Sequence, residues 1–140
     1  MTREEFEKLI EEEFENAIPE KFRPHIKNVA FLVEDEPSAE VKEQEGLVGE
    51  ETLLGLYQGI PYPMRGDLYG MGATMPDTIT LYQLPIEEEA HDELGRGVCP
   101  AFEECMRKVI RETIWHEVAH LFGMDEHTVR GREDERKKDA

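Results

Sequence analysis

From Phe102 to His120 the residues Phe102, Met106, Val109, Ile110, Thr113, Glu117 and His120 recur at helical spacing, so they share one stripe of a single long helix. Pro100 suits the first turn of that helix and Gly123 its end. A stripe of this kind faces the interior, and the helix therefore decides where the core of the chain must lie. Its last turns break the apolar rule. His116, Glu117 and His120 stand among Ile114, Trp115, Val118, Ala119, Leu121 and Phe122, and three titratable groups in such company are costly to bury unless a metal or hydrogen bonds satisfy them.

The three polar residues form the pattern His116-Glu117-x-x-His120. Residues four apart on a helix lie one above the other, so both imidazoles can reach one metal ion, with Glu117 beside them as a general base toward water. That arrangement suits a hydrolytic zinc site, in which an open coordination position is kept for substrate. A purely structural zinc site needs no carboxylate next to its ligands and closes its fourth position with Cys or His. A third ligand is still required. Glycine can take the left-handed conformation that folds a chain back after a helix, so a residue soon after Gly123 can approach the metal. Glu126, ten residues after His116, holds the place of the third histidine in the H-E-x-x-H-x-x-G-x-x-H pattern. Asp125 and His127 are the alternatives; as bland readings, Asp125 caps a following helix and His127 is a surface histidine.

Upstream, Thr2 and Glu5 can form a capping box for an amphipathic helix over residues 3–17, with Phe6, Leu9, Ile10 and Phe14 inward and its glutamates in water. Residues 28–34, 52–58 and 77–84 read as three strands, the last opened by Pro76-Asp77 and closed by Pro85. One helical turn is expected after Ser38. Residues 59–76, rich in Gly, Pro and Met, are too long for an ordinary connection, which points to a functional loop. Tyr62, Arg65, Asp67 and Tyr69 there are candidates to line a cleft or steady an oxyanion. Residues 86–99 read as loop or as a short helix ended by Gly95. The third strand is a candidate exposed edge for β-augmentation by a peptide, or else a covered structural strand. His25 and His91 read as surface histidines. Cys99 and Cys105, six apart on one predicted helix, would point to different faces and read as free thiols of a reducing compartment.

The chain resembles the minimal zincins, small bacterial zincin-like metallopeptidases once catalogued as a domain of unknown function. The resemblance runs from about Phe14 to Val129 and rests on three stretches: LLGLYQGIPYPMRG at 53–66, MPDTITLYQLPI at 75–86, and HEVAHLFG from His116. It implies an α+β fold in which a small mixed sheet packs on the active-site helix, a zinc cofactor and a peptidase activity. It also implies an acidic residue at the place of Glu126. Two features depart from the broader pattern: no methionine turn follows the motif, and residues 86–99 are more acidic than the resemblance implies, a difference that bears on substrate recognition.

With 140 residues the chain suits one domain, read here as residues 1–130 followed by a polar tail at 131–140. A formal charge of -17 repels phosphate backbones and anionic lipid surfaces, which argues against nucleic acid or membrane as partners. The charged N-terminal stretch lacks a signal-peptide core and no later stretch is apolar enough to span a bilayer, so a cytoplasmic monomer is expected. The sequence thus supports a zinc-dependent hydrolase acting on a peptide or protein substrate. Its rival is a non-catalytic zinc-binding or interaction protein with the same fold.

Overall fold

A hydrophobic stripe on each long helix and a short sheet with one well-covered strand generate the architecture. The computed structural model describes residues 1–26, 29–59 and 77–123. In chain order they form helix α1 (Arg3–Ala17), a 3-10 segment (Glu20–His25), strand β1 (Val29–Glu34), the short helix α2 (Ala39–Gln44), strands β2 (Gly55–Gln58) and β3 (Asp77–Tyr82), and helices α3 (Gln83–Gly95) and α4 (Phe102–Leu121). The fold is α+β.

The expected capping box closes α1: the Glu5 amide donates to the Thr2 hydroxyl at 3.1 Å and the Thr2 amide to the Glu5 carboxylate at 3.1 Å. Phe6, Leu9 and Ile10 are buried, and half-buried Phe14 sets its ring edge-on to Phe31 of β1 with centroids 5.2 Å apart. Glu13 departs from the solvated-glutamate expectation, because it lies on the buried stripe and is only 4% exposed. Ser38 caps α2 through the Val41 amide, as its position before that helical turn predicts.

The sheet is mixed, in the order β1-β3-β2. β1 runs parallel to β3, with Phe31 opposite Ile79, and β2 runs antiparallel to it, with Leu56 opposite Thr80. β3 is thus the middle strand, and the edge-strand reading of it is wrong. Pairing on both sides explains why Ile79, Thr80, Leu81 and Tyr82 are all buried, as a central strand requires.

Two further expectations need correction. Pro85 does not close a strand; it sits in the first turn of α3, which follows Tyr82 directly. The first amides of a helix lack intrahelical partners, so a residue with no N–H is tolerated there, and the neighbouring Leu84 amide donates to the Asp35 carbonyl at 2.9 Å. The helix is consequently longer than the sequence suggested. Cys99 and Cys105 are not free thiols, because α4 begins only at Phe102. Cys99 lies in the preceding turn, 5.6 Å from Cys105 between Cα atoms, and the two are joined in a disulfide. The inference to a reducing compartment loses its basis with it.

α4 is the hub. It packs between α1 and α3 and against β2 and β3, and Met106, Ile110, Ile114 and Val118 supply its share of the main core. The 3-10 segment, which sequence periodicity did not reveal, places Phe22 against Trp115 at 5.5 Å and Phe122 at 5.1 Å between ring centroids. Those contacts fix the C-terminal end of α4. No helix among the described residues is long and apolar enough to cross a membrane.

Candidate metal centre

The C-terminal turns of α4 hold the three polar residues on the side of the helix turned toward β2. His116 and His120 are half-buried and Glu117 is buried. The two imidazole rings meet edge-on with centroids 5.0 Å apart. One ligand atom from each of His116, Glu117 and His120 lies within 4.8 Å of the others. Two imidazole nitrogens four residues apart on one helix are a donor pair suited to zinc, with the Glu117 carboxylate beside them.

Local sequence explains why the site is held so tightly against the sheet. A Cβ at Gly55 would stand 2.8 Å from Thr113 Cγ2, 3.2 Å from the Thr80 carbonyl oxygen and 3.3 Å from Glu117 Cγ. Thr113 cannot swing aside freely, since its hydroxyl donates to the Val109 carbonyl at 2.7 Å. Only glycine lets β2 approach α4 at this point, and that approach sets the wall beside Glu117. Gly55 was not singled out in the sequence; its sole signal was a glycine inside a strand pattern, which marks a close backbone approach.

The helix stops where the sequence predicts. Phe122 is its C-cap, and Gly123 adopts a φ of 77° with its amide donating to the His120 carbonyl at 2.9 Å. The helix therefore ends within three residues of the second histidine. Glu126, Asp125 and His127 lie outside the described residues, as do Tyr62, Arg65, Asp67 and Tyr69 and the polar tail. His25 and His91 are exposed, and His91 stacks on Phe102 with centroids 4.2 Å apart, far along α4 from His116.

A pocket of about 500 Å³ opens beside the motif. His116, Glu117 and Thr113 form one wall, the segment 52–55 faces them, and Glu89 and Glu93 of α3 close the far side. On β3, the pKa of Tyr82 is raised above its ordinary value by burial, followed by the nearby charges of Glu34, Glu45 and Glu117.

The profile of a family described as zincin-like metallopeptidase matches residues 26–136. No curated protein matches the chain.

Proposed function

Because the chain belongs to the zincin-like metallopeptidase family, whose profile spans residues 26–136, we propose that it is a zinc-dependent peptidase with His116 and His120 as metal ligands and Glu117 as general base. The observation that carries this reading is the gathering of His116, Glu117 and His120 within 4.8 Å on one helix, beside a pocket able to admit a peptide. Glu126 completes the ligand set in this proposal, supported by the positive φ of Gly123 three residues earlier, a conformation that lets a chain fold back after a helix.

When bound, zinc supplies a Lewis acid that brings the pKa of a water to about 7 and polarises a carbonyl. Glu117 then has two tasks. Its carboxylate takes the proton of the water that attacks the scissile carbonyl carbon, and it passes that proton to the departing amine. Burial of Glu117 under β2 keeps competing water away from that carboxylate and fixes its rotamer beside the imidazoles. Half-buried His116 lines the pocket together with Glu117, and an extended chain can lie there.

Hydrolysis of a peptide library by zinc-loaded protein, metal-free protein and the Glu117→Gln variant tests the reading. Glutamine keeps the shape and removes the basic oxygen, so cleavage is expected to fall about 100-fold to 10,000-fold while zinc stays bound. Equal cleavage in all three samples would refute the mechanism. An absence of cleavage in the zinc-loaded parent would transfer the assignment to a non-catalytic zinc-binding protein.

A further inference from the structure

Between α3 and α4 the chain makes a turn that local chemistry dictates. Gly97 takes a φ of 74°, the Val98 amide donates to the Glu93 carbonyl at 3.0 Å and the Gly97 amide to the Leu94 carbonyl at 3.1 Å. A left-handed residue with these two bonds closes a helix and folds the chain back over its last turn. The fold-back brings Cys99 to Glu93, and Cys105 joins them from the start of α4. One ligand atom from each of Glu93, Cys99 and Cys105 lies within 4.8 Å of the others.

Glu93 is 7% exposed. Its Oε1 holds the Lys108 ammonium at 3.0 Å, while Oε2 has no hydrogen-bond partner among the described residues. An acceptor withdrawn from water and left without a donor is costly. The disulfide cannot relieve it, because neither of its sulfurs carries a proton. A divalent ion between that carboxylate and two thiolates would, by taking the lone pair directly. Tetrahedral zinc sets sulfur and oxygen ligands about 3.5–3.8 Å apart, and with Cα atoms 5.6 Å apart the two sulfurs need only part to that spacing once their bond opens. Charge agrees with geometry. Two thiolates and a carboxylate are balanced by zinc together with the Lys108 ammonium. Burial works against the charge on Lys108, yet the hydrogen bonds from Glu93 and Glu112 outweigh it and the pKa is raised. Cys105 is buried, whereas half-buried Cys99 stands between exposed Val98 and Pro100, which gives an ion its way in.

We propose that Glu93, Cys99 and Cys105 form a second, redox-controlled metal site, which takes zinc or another thiolate-binding divalent ion when the disulfide is reduced and loses it when the disulfide re-forms. A reductant of the dithiol class supplies two electrons and two protons; the S–S bond breaks, two thiols form and the dithiol becomes a disulfide. Zinc then displaces both thiol protons to water as it binds, and a water fills the fourth position. Hydrogen peroxide reverses the change. It takes two electrons from the thiolates and two protons from solvent, leaving the S–S bond, two waters and a free zinc ion. About 16 Å of helix rise separates Cys105 from His116, so this site and the histidine pair bind independently.

Cobalt(II) and zinc, added to the full chain with and without prior reduction by a phosphine that is removed under anaerobic conditions, test this. The disulfide form is expected to hold one equivalent, at the histidines, without a thiolate-to-cobalt charge-transfer band in the near ultraviolet. Reduced protein is expected to hold a second equivalent and show that band, in the parent and in His116→Ala alike, so the result stands apart from the peptidase reading. Cys105→Ser or, should it fold poorly, the half-buried Cys99→Ser is expected to abolish the band, and Glu93→Gln to weaken the second equivalent by about tenfold or more. Peroxide is expected to release that equivalent to a zinc indicator. The same metal content in both redox states, or a band that survives in the cysteine variants, would overturn the site. Undiminished affinity in Glu93→Gln would overturn the role of its carboxylate and with it the three-residue site.

Discussion

The two flanks of α4 treat acidic residues in opposite ways. On the flank against α1, Glu13 is buried but receives Arg111 at 2.7 Å and Arg107 at 3.5 Å, and Arg107 also reaches Glu12 at 2.8 Å. On the flank against α3, Glu93 is almost as deeply buried, and Lys108 reaches only one of its oxygens. Guanidinium forks bind carboxylates from several directions at once, whereas a single ammonium acts as a point charge. One flank is therefore finished as an internal interface. The other keeps one carboxylate oxygen with no hydrogen-bond partner among the described residues, and it is this flank that borders His116 and Glu117.

The largest expected disruption is on the site flank. Gly55→Val places a branched side chain where even a Cβ would stand 2.8 Å from Thr113, and overpacking of this kind is expected to lower stability by about 3 kcal/mol. Denaturant titration measures it, and a loss below about 1 kcal/mol would mean that β2 does not press on α4. Next comes the disulfide that ties Cys99 to α4 through Cys105. Closing so short a loop is worth about 2 kcal/mol by chain entropy, so reductant should lower the melting temperature of the protein, and an unchanged melting curve would show that the bridge contributes nothing to the hub helix.

Paired variants then compare the flanks themselves. Glu13→Gln leaves two guanidiniums facing a neutral amide and is expected to cost about 1–2 kcal/mol, moderated because both arginines keep roughly a third of their side chains in water. Glu93→Gln retains an acceptor for Lys108 and relieves a buried charge, and is expected to cost about 0.5 kcal/mol or less. Reversal of that order would erase the distinction between flanks.

Alkali gives the smallest and most selective effect. Tyr82 and Lys108 both have folded-state pKa values raised above their ordinary values of 10.0 and 10.5. A raised value means that the folded state holds the proton more tightly, so this stability is complete below about pH 10 and is lost as the pH climbs through the folded values. Arg107, its pKa raised by its hydrogen bond to Glu12, keeps the α1 flank paired throughout that range. Melting temperatures should therefore decline above about pH 10, less steeply in Tyr82→Phe; a flat profile in the parent would contradict it.

Much of the fold was legible in the sequence, whereas the contrast between the flanks was hidden for physical reasons. Helical spacing from Phe102 to His120 located the hub and the His-Glu-x-x-His pattern on it, and Thr2, Ser38 and Gly123 marked helix ends because caps depend on local chemistry. Glu13 escaped because a glutamate on a helix is normally solvated, and its burial follows from Arg107 and Arg111 across an interface that no local pattern reveals. Cys99 and Cys105 were misjudged because the bridge hinges on a helix boundary displaced by a few residues, and Pro85 because a first-turn proline resembles a strand terminator. The choice between an exposed and a covered β3 stayed open in the sequence, since strand order is set by long-range pairing. The acidity of residues 86–99 was visible as an oddity; only the packing of α3 on α4 gives it a location beside the candidate site.

Zinc content tests the central claim most directly. Elemental analysis after reconstitution and gel filtration is expected to give about one equivalent per chain in the parent and in Glu117→Gln, with a sharp fall in His116→Ala and His120→Ala. Stoichiometric zinc retained in both histidine variants would contradict the assignment of α4 as the metal-binding helix.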